Sequence, residues 1–259
     1  MIPRPVVSFE GRKGLITGIA NESSIAWGCA KAFRGLGADL AVTYLNERAR
    51  PHVEPLAQQL EAPIVMPLDV RAEGQLEAVF ERIGREWGRL DFALHSIAFA
   101  PKDDLHGRVV DCSKEGFLTA MEVSCWSFIR MARLAEPLMD KGGALFCMTY
   151  YGSQMVVENY NLMGPVKAAL ESVTRYMAAE LGPKGIRVHA ISPGPLKTRA
   201  ASGIAEFDEL LAKAQEKAPM QSLVSVDDVG RATAFLATDF ARLMTGETLY
   251  IDGGYHIID

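Results

Sequence analysis

The feature that most constrains this chain is an alternation repeated through its first hundred residues: a short apolar run, a turn, then a stretch of helical period. Residues 13–17, 40–44, 64–68 and 92–96 have the length and composition of buried strands. Helical patterns over residues 24–36, 53–60 and 75–87 separate them. Parallel neighbours need a crossover, and the crossover helix covers one face, so this order predicts an α/β fold built on a doubly wound parallel sheet with helices on both faces. The pattern continues with strands at 144–148, 186–191 and 248–251 and helices over 116–139, up to 181, and over 227–237. No repeat, low-complexity segment or linker interrupts it, so residues 1–259 read as one domain, with a small helical flap at about 198–218.

Composition narrows the functional classes. With 259 residues, 49% of them hydrophobic, the chain can bury a full core, and disorder is excluded. The net charge of −5 is spread along the sequence, which argues against nucleic acid or an anionic membrane as partner. No run approaches a membrane span, and residues 1–10 lack a basic region followed by an apolar one. Cys29, Cys112, Cys125 and Cys147 have neither metal-ligand nor redox spacing, which fits reduced, buried thiols in a cytoplasmic protein and predicts no metal site.

In open α/β sheets the chemistry gathers beyond the carboxyl ends of the strands. Thr17-Gly18 closes the first strand and Ser24-Ile25-Ala26 opens the next helix, the strand-turn-helix order of a nucleotide-binding, Rossmann-like unit. Gly18 and Gly28 are present, but no further glycine completes the G-x-G-x-x-G spacing. Ser24 stands where it could cap the helix, whose free N–H groups would suit a pyrophosphate. Leu45 and Asn46 follow the second strand without positive charge, which favours NADH, while Arg48 leaves NADPH open. Asp69-Val70 after the third strand could meet an adenine amine, or Asp69 could cap the following helix. Small residues within Ser96-Ile97-Ala98-Phe99-Ala100 would let backbone approach a nicotinamide or an acyl chain, and packing would use them equally well.

The richest stretch lies between residues 150 and 167. Tyr160 and Lys167 stand seven residues apart, two turns if the segment is helical, so both would leave one face. A neighbouring ammonium would lower the phenol's pKa from its usual value near 10 and ease proton release to a developing oxyanion.

Taken together, these segments resemble the short-chain dehydrogenases/reductases, and within them the enoyl-[acyl-carrier-protein] reductases. The match rests on Thr17-Gly18 with Ser24-Ile25-Ala26, His95 through Pro101, Tyr150 with Tyr160 and Lys167, Arg187-Val188 through Ser192, and Gly194-Pro195 with Ala200 through Gly203, nearly end to end. The resemblance implies that Tyr160 is the acid or hydrogen-bond donor to a thioester oxygen, that Lys167 holds the nicotinamide ribose, and that Tyr150 is a second active-site tyrosine. It also implies that Gly18, Ser24, Ile25, Leu45, Asp69, Val70, Ser96, Ile97 and the turn of Leu196, Lys197, Thr198, Arg199 and Ala200 line the cofactor, and that Ala100 touches substrate. A homotetramer is implied as well, with the helices around Trp126 and Met177 pairing.

The usual carbonyl-reducing members carry their tyrosine four residues before the lysine, where this chain has Met163. Hydride addition to a conjugated thioester puts charge on an oxygen farther from the carbon attacked, so the donor should stand farther from the nicotinamide. Tyr160, three residues further back, would be displaced by roughly 4.5 Å along a helix. The expected activity is therefore NADH-dependent reduction of enoyl thioesters carried on acyl carrier protein, in fatty acid biosynthesis. A 3-oxoacyl or other carbonyl reductase and a non-catalytic dinucleotide-binding regulator are the rivals. His189, Pro193 and Trp126 depart from the subfamily pattern and are expected to reshape pocket walls. The flap is acidic through Glu206, Asp208 and Glu209, so a carrier protein would look to Lys197, Arg199 and Lys213, unless the natural thioester is a different one or the flap is a solvated face with no partner.

Overall fold

The computed structural model describes residues 7–198 and 207–258. Seven parallel strands form one sheet among these residues, in the order β3-β2-β1-β4-β5-β6-β7. They are β1 Lys13–Thr17, β2 Asp39–Tyr44, β3 Ile64–Pro67, β4 Phe92–His95, β5 Gly143–Met148, β6 Ile186–Pro193 and β7 Thr248–Ile251. The order reverses between β1 and β4, whose register pairs Thr17 with His95. A crevice opens at such a switch point because the connections leave towards opposite faces.

Alternation along the strands builds two cores. Leu15, Ala41, Ala93, Leu145, Cys147, Val188 and Ala190 point to one face, packing with Val79, Phe128 and Leu170 from helices α3 (Gln75–Trp87), α6 (Ser127–Ala135) and α7 (Met163–Leu181). Their neighbours Ile16, Leu40, Val42, Leu94, Phe146 and Ile191 point to the other, under α1 (Ile25–Gly35), α2 (Arg50–Gln59) and α9 (Val226–Ala237). A stack of Phe33 on Phe92, centroids 3.9 Å apart, with Phe9 edge-on to both, fills the second core. Gly14 leaves the room this ring needs, since a Cβ there would run into Phe92.

The expected helix over residues 116–139 is compound: α4 (Lys102–Leu105) precedes α5 (Lys114–Met121), then a π-helical turn Glu122–Trp126 leads into α6. Ser113 caps α5 by accepting from the Gly116 N–H at 2.9 Å, which fixes an earlier start than the apolar pattern implied. The thiols of Cys29, Cys125 and Cys147 are buried as expected, but Cys112 is partly exposed. The flap is seen as α8 (Phe207–Lys217), and its first part, residues 199–206, lies outside the described residues.

Gly28 belongs to the scaffold and not to a glycine fingerprint. A Cβ on Gly28 would strike the Val226 carbonyl, and one on Gly230 would strike the Gly28 carbonyl, so α1 and α9 cross backbone to backbone. Gly28→Val is expected to cost about 3 kcal/mol through overpacking. For a chain of this size that is a fall in Tm of about 6–12 °C. An unchanged melting temperature by calorimetry would contradict the close crossing.

Candidate active site

The carboxyl ends of β1 to β6 bring the sequence-predicted residues to one edge of the sheet. Gly18 leaves β1 with φ of 93°, in a region that favours glycine, and a Cβ there would collide with the Ser96 carbonyl. The first and fourth strand exits therefore touch at the switch point through Gly18 and Ser96, with Ile97 partly buried just beyond. Ser24 and Ile25 stand at the start of α1, yet Ser24 does not cap the helix with its side chain. Its hydroxyl accepts from the N–H groups of Ala20 and Asn21 at 3.0 and 3.1 Å, folding the β1–α1 loop back on itself. The loop is long enough for its own amides to claim the oxygen, which the position alone did not reveal.

Leu45 is exposed beyond β2. The charges after it are largely paired: Arg50 lies 3.5 Å from Glu47 and 3.2 Å from Glu54, and the Tyr44 hydroxyl donates to Glu47 at 3.2 Å. Asp69 and the buried Val70 follow β3. Asp69 does not cap α3, whose N-cap is Gly74; its carboxylate accepts from the Arg71 N–H at 3.0 Å and shapes the turn. Leu196, Lys197 and Thr198 follow β6, and Lys197 pairs with Asp208 of α8 at 2.7 Å. Arg199 and Ala200 lie outside the described residues.

Residues after β4 are pinned from below by the π turn. Ser124 accepts from the Phe99 N–H at 3.0 Å and donates to the Phe99 carbonyl at 3.2 Å. Ser127 donates to the Val123 carbonyl at 2.7 Å, so the 2.6 Å contact with His95 requires the Nε2–H tautomer, with His95 donating. Burial first, then the charge of Lys167, pulls the His95 pKa down to about 3, and the ring stays neutral.

Tyr150 and Tyr160 meet, with Lys167 bonded to the Met148 carbonyl two residues before Tyr150, but not by the two-turn helix expected. Helix α7 starts at Met163, and Tyr160 sits in the turn before it. Asn159 and Asn161 have φ of 61° and 41°, conformations asparagine tolerates better than most residues, and they break the helical path on both sides of the phenol. The displacement inferred from an ideal helix therefore does not apply. The Tyr160 ring meets Tyr150 edge-on, centroids 4.9 Å apart, and packs against the small apolar cluster of Ala120, Leu162, Met163 and Val166 that Ala100 also joins. Met163 is buried in that cluster. Among the described residues the buried Tyr150 hydroxyl finds no hydrogen-bond partner, nor does the Ser192 hydroxyl at the end of β6.

Electrostatics also differ from expectation. Burial, then Tyr150 and Glu171, push the Tyr160 pKa well above that of a free phenol, and Lys167 does not offset them. Burial likewise raises Tyr150. Lys167 is pulled down to about 8 by its own burial, and its Nζ donates to the Met148 carbonyl at 2.7 Å. Both phenols are therefore neutral hydroxyls, suited to donating a hydrogen bond to a charged oxygen. Cys147, pushed up to about 12 by burial and bonded to Thr174 at 3.4 Å, is a packing residue. Sequence reasoning missed Glu171, Thr149 and Ser153, which lie under this group; the i+4 spacing of Glu171 from Lys167 was the available signal. It also missed Tyr255, which turns back from beyond β7 to meet Tyr151 at 6.0 Å. Beside them a cavity of about 230 Å³ is lined by Tyr151, Val156, Glu158, Lys213 and Tyr255. No group of His, Cys, Asp and Glu that could hold a metal exists among the described residues.

A family model described as Enoyl-(Acyl carrier protein) reductase matches residues 18–256. Enoyl-[acyl-carrier-protein] reductase [NADH] 1 of Rhizobium meliloti is 44% identical over 250 residues, 96% of this chain and 92% of its own. The Salmonella typhimurium enzyme is 42% identical, covering 96% and 95%. Among solved structures, the Anaplasma phagocytophilum reductase in complex with NAD superposes with a TM-score of 0.93 at 45% identity, covering 96% and 95% of the two chains. The Bacillus cereus reductase with NADP+ and indole naphthyridinone gives 0.95 at 42%, covering 98% and 100%. With strand exits that touch at the switch point, two partly buried phenols in contact, and this similarity over almost its whole length, the chain belongs to the enoyl-(acyl carrier protein) reductase family.

Proposed function

We propose that this protein reduces the carbon–carbon double bond of trans-2-enoyl thioesters carried on acyl carrier protein, with NADH as reductant, in fatty acid biosynthesis. The observation that carries the reading is the contact of Tyr150 with Tyr160 beside the β5 exit that Lys167 holds through the Met148 carbonyl, with Met163 buried among apolar side chains where a carbonyl reductase would need a hydroxyl. Relatives named as NADH enzymes, and the uncharged side chains of Leu45 and Asn46, support NADH over NADPH.

The site fits a dinucleotide. Two buried hydroxyls, Tyr150 and Ser192, lack partners among the described residues, and Gly18 with Ser96 keeps the crevice floor bare of side chains. Gly18, Ser24 and Ile25 would hold the pyrophosphate side, Leu45, Asp69 and Val70 the adenosine, and Ser96, Ile97, Lys167, Leu196, Lys197 and Thr198 the nicotinamide half, with Arg199 and Ala200 continuing that wall. Bound NADH supplies the hydride. The protein's task is then electrostatic: the neutral Tyr160 hydroxyl donates a hydrogen bond to the thioester oxygen as it gains charge, Tyr150 closes the other side, and Lys167 holds a ribose hydroxyl while its charge favours the enolate, whose α-carbon then takes a proton from solvent. Ala100, in the same apolar cluster as Tyr160, borders the acyl chain.

For the carrier protein we assign the edge where Lys197 and Lys213 stand exposed. Their pairs with Asp208 and Glu158, at 2.7 and 3.7 Å, are surface pairs of small worth that an acidic partner can displace. No helix among the described residues is long and apolar enough to cross a membrane, and we place the enzyme in the cytoplasm. We further assign a homotetramer. Leu118, Trp126 and Tyr176 are 54%, 52% and 72% exposed on the α5–α7 side, and Phe235, Phe240 and Leu243 on the α9 side, two apolar surfaces that a symmetric assembly would cover.

Tyr160→Phe should lower kcat for a crotonyl thioester by roughly 10²-fold with NADH affinity nearly intact; stopped-flow turnover equal to the parent would remove Tyr160 from the mechanism. Lys167→Ala should weaken NADH binding about tenfold or more, as expected for losing a charged hydrogen bond, and an unaltered fluorescence titration would contradict the ribose assignment. Light scattering should give the mass of four chains, and a monomer would contradict the assembly.

A further inference from the structure

Glu171 is a carboxylate buried beneath the reaction centre, one turn beyond Lys167 on α7, and the reaction derived above gives it no part. Its Oε1 accepts the Thr149 hydroxyl at 2.7 Å and the Ser153 hydroxyl at 2.5 Å. Both lengths fall in the range of hydrogen bonds to a carboxylate. A carboxylate taken out of water is costly unless its lone pairs are met, so these hydroxyls and Glu171 hold one another in place.

The two hydroxyls bracket Tyr150 and Gly152. Lys167 adds a third attachment through the Met148 carbonyl, so α7 grips the exit of β5 at Met148, Thr149 and Ser153. Tyr160 leans on the gripped segment. A Cβ on Gly152 would press on the Tyr160 ring, and Tyr150 meets that ring edge-on. Tyr160 sits in a turn ahead of α7, its N–H donating to the Val157 carbonyl and its own carbonyl accepting from the Met163 N–H, and this wall holds its ring on the side away from the apolar cluster.

We propose that Glu171 is a positioning residue for the reductase reaction: through Thr149 and Ser153 it fixes the β5 exit, which Lys167 also holds, and with it Tyr150 and the wall behind Tyr160. The proposal rests on the reading of Tyr150, Tyr160 and Lys167 as the reaction centre. A Glu171 that served stability alone would lower Tm when replaced and leave the turnover of folded enzyme unchanged.

The test is steady-state turnover of a crotonyl thioester with NADH, beside NADH titration, for Glu171→Leu, Glu171→Gln and the double variant Thr149→Val/Ser153→Ala. Glu171→Leu and the double variant should each lower kcat about 10–100-fold, the scale of a misplacement near 1 Å, with NADH affinity within about twofold of the parent. Combining them should add less than about threefold, because all three side chains belong to one network. Glu171→Gln keeps an acceptor oxygen and should recover most of the loss. Folded variants that turn over like the parent, or losses that multiply in full, would overturn the proposal. If Glu171→Leu does not fold, the hydroxyl double variant decides alone. Tyr160→Phe in the same assay separates the two readings: parental turnover there refutes the reaction centre, whereas a crippled Tyr160→Phe beside an unimpaired double variant refutes only the role of Glu171.

Discussion

A buried ammonium on a 19-residue helix, bonded to the carbonyl at the end of a central strand, is the contact on which the site depends. Lys167 can occupy that position because the Met148 carbonyl accepts a hydrogen bond from its Nζ, and its burial pulls its pKa down to about 8. Such a group is a cation that gives up its charge more readily than a surface lysine, so an anionic partner brought beside it strengthens both charges. The same contact aligns α7 with β5, and the two phenols stand over this junction. Sheet geometry and reaction geometry are thus one arrangement.

Much of the scaffold was legible in the sequence because two simple periods write it. Adjacent residues such as Leu15 and Ile16, or Phe146 and Cys147, enter opposite cores, and that is what a parallel strand covered on both faces requires. The strand order, and with it the switch point, came from the structure. What periodicity could not show was where a helix yields to a turn. Asn159 and Asn161 adopt left-handed conformations that no apolar pattern records, so Tyr160 was read onto a helix it precedes. Ser24 and Asp69 were read as possible helix caps, and both instead close local turns, because the amides nearest in the chain reached their oxygens first.

The acid–base reading changed for a related reason. From spacing alone, Lys167 should ease proton loss from Tyr160; burial of the ring acts the other way and dominates. The consequence is chemical. A phenol that resists ionisation works as a hydrogen-bond donor of constant protonation, which suits an oxygen that gains charge only transiently. His95 is likewise held neutral, with one ring nitrogen committed to Ser127 and the π turn. The glycines divide by role in a way the incomplete fingerprint obscured: Gly18 clears the crevice, whereas Gly28 serves a helix crossing.

The central claim is that the Tyr160 hydroxyl meets the oxygen that becomes negative when hydride arrives. A crystal structure of the protein with NAD+ and a crotonyl thioester tests it most directly. The account predicts the Tyr160 hydroxyl within about 3 Å of the thioester oxygen, with Lys167 on the nicotinamide ribose. A thioester oxygen held by another donor, with the Tyr160 ring turned away, would contradict it.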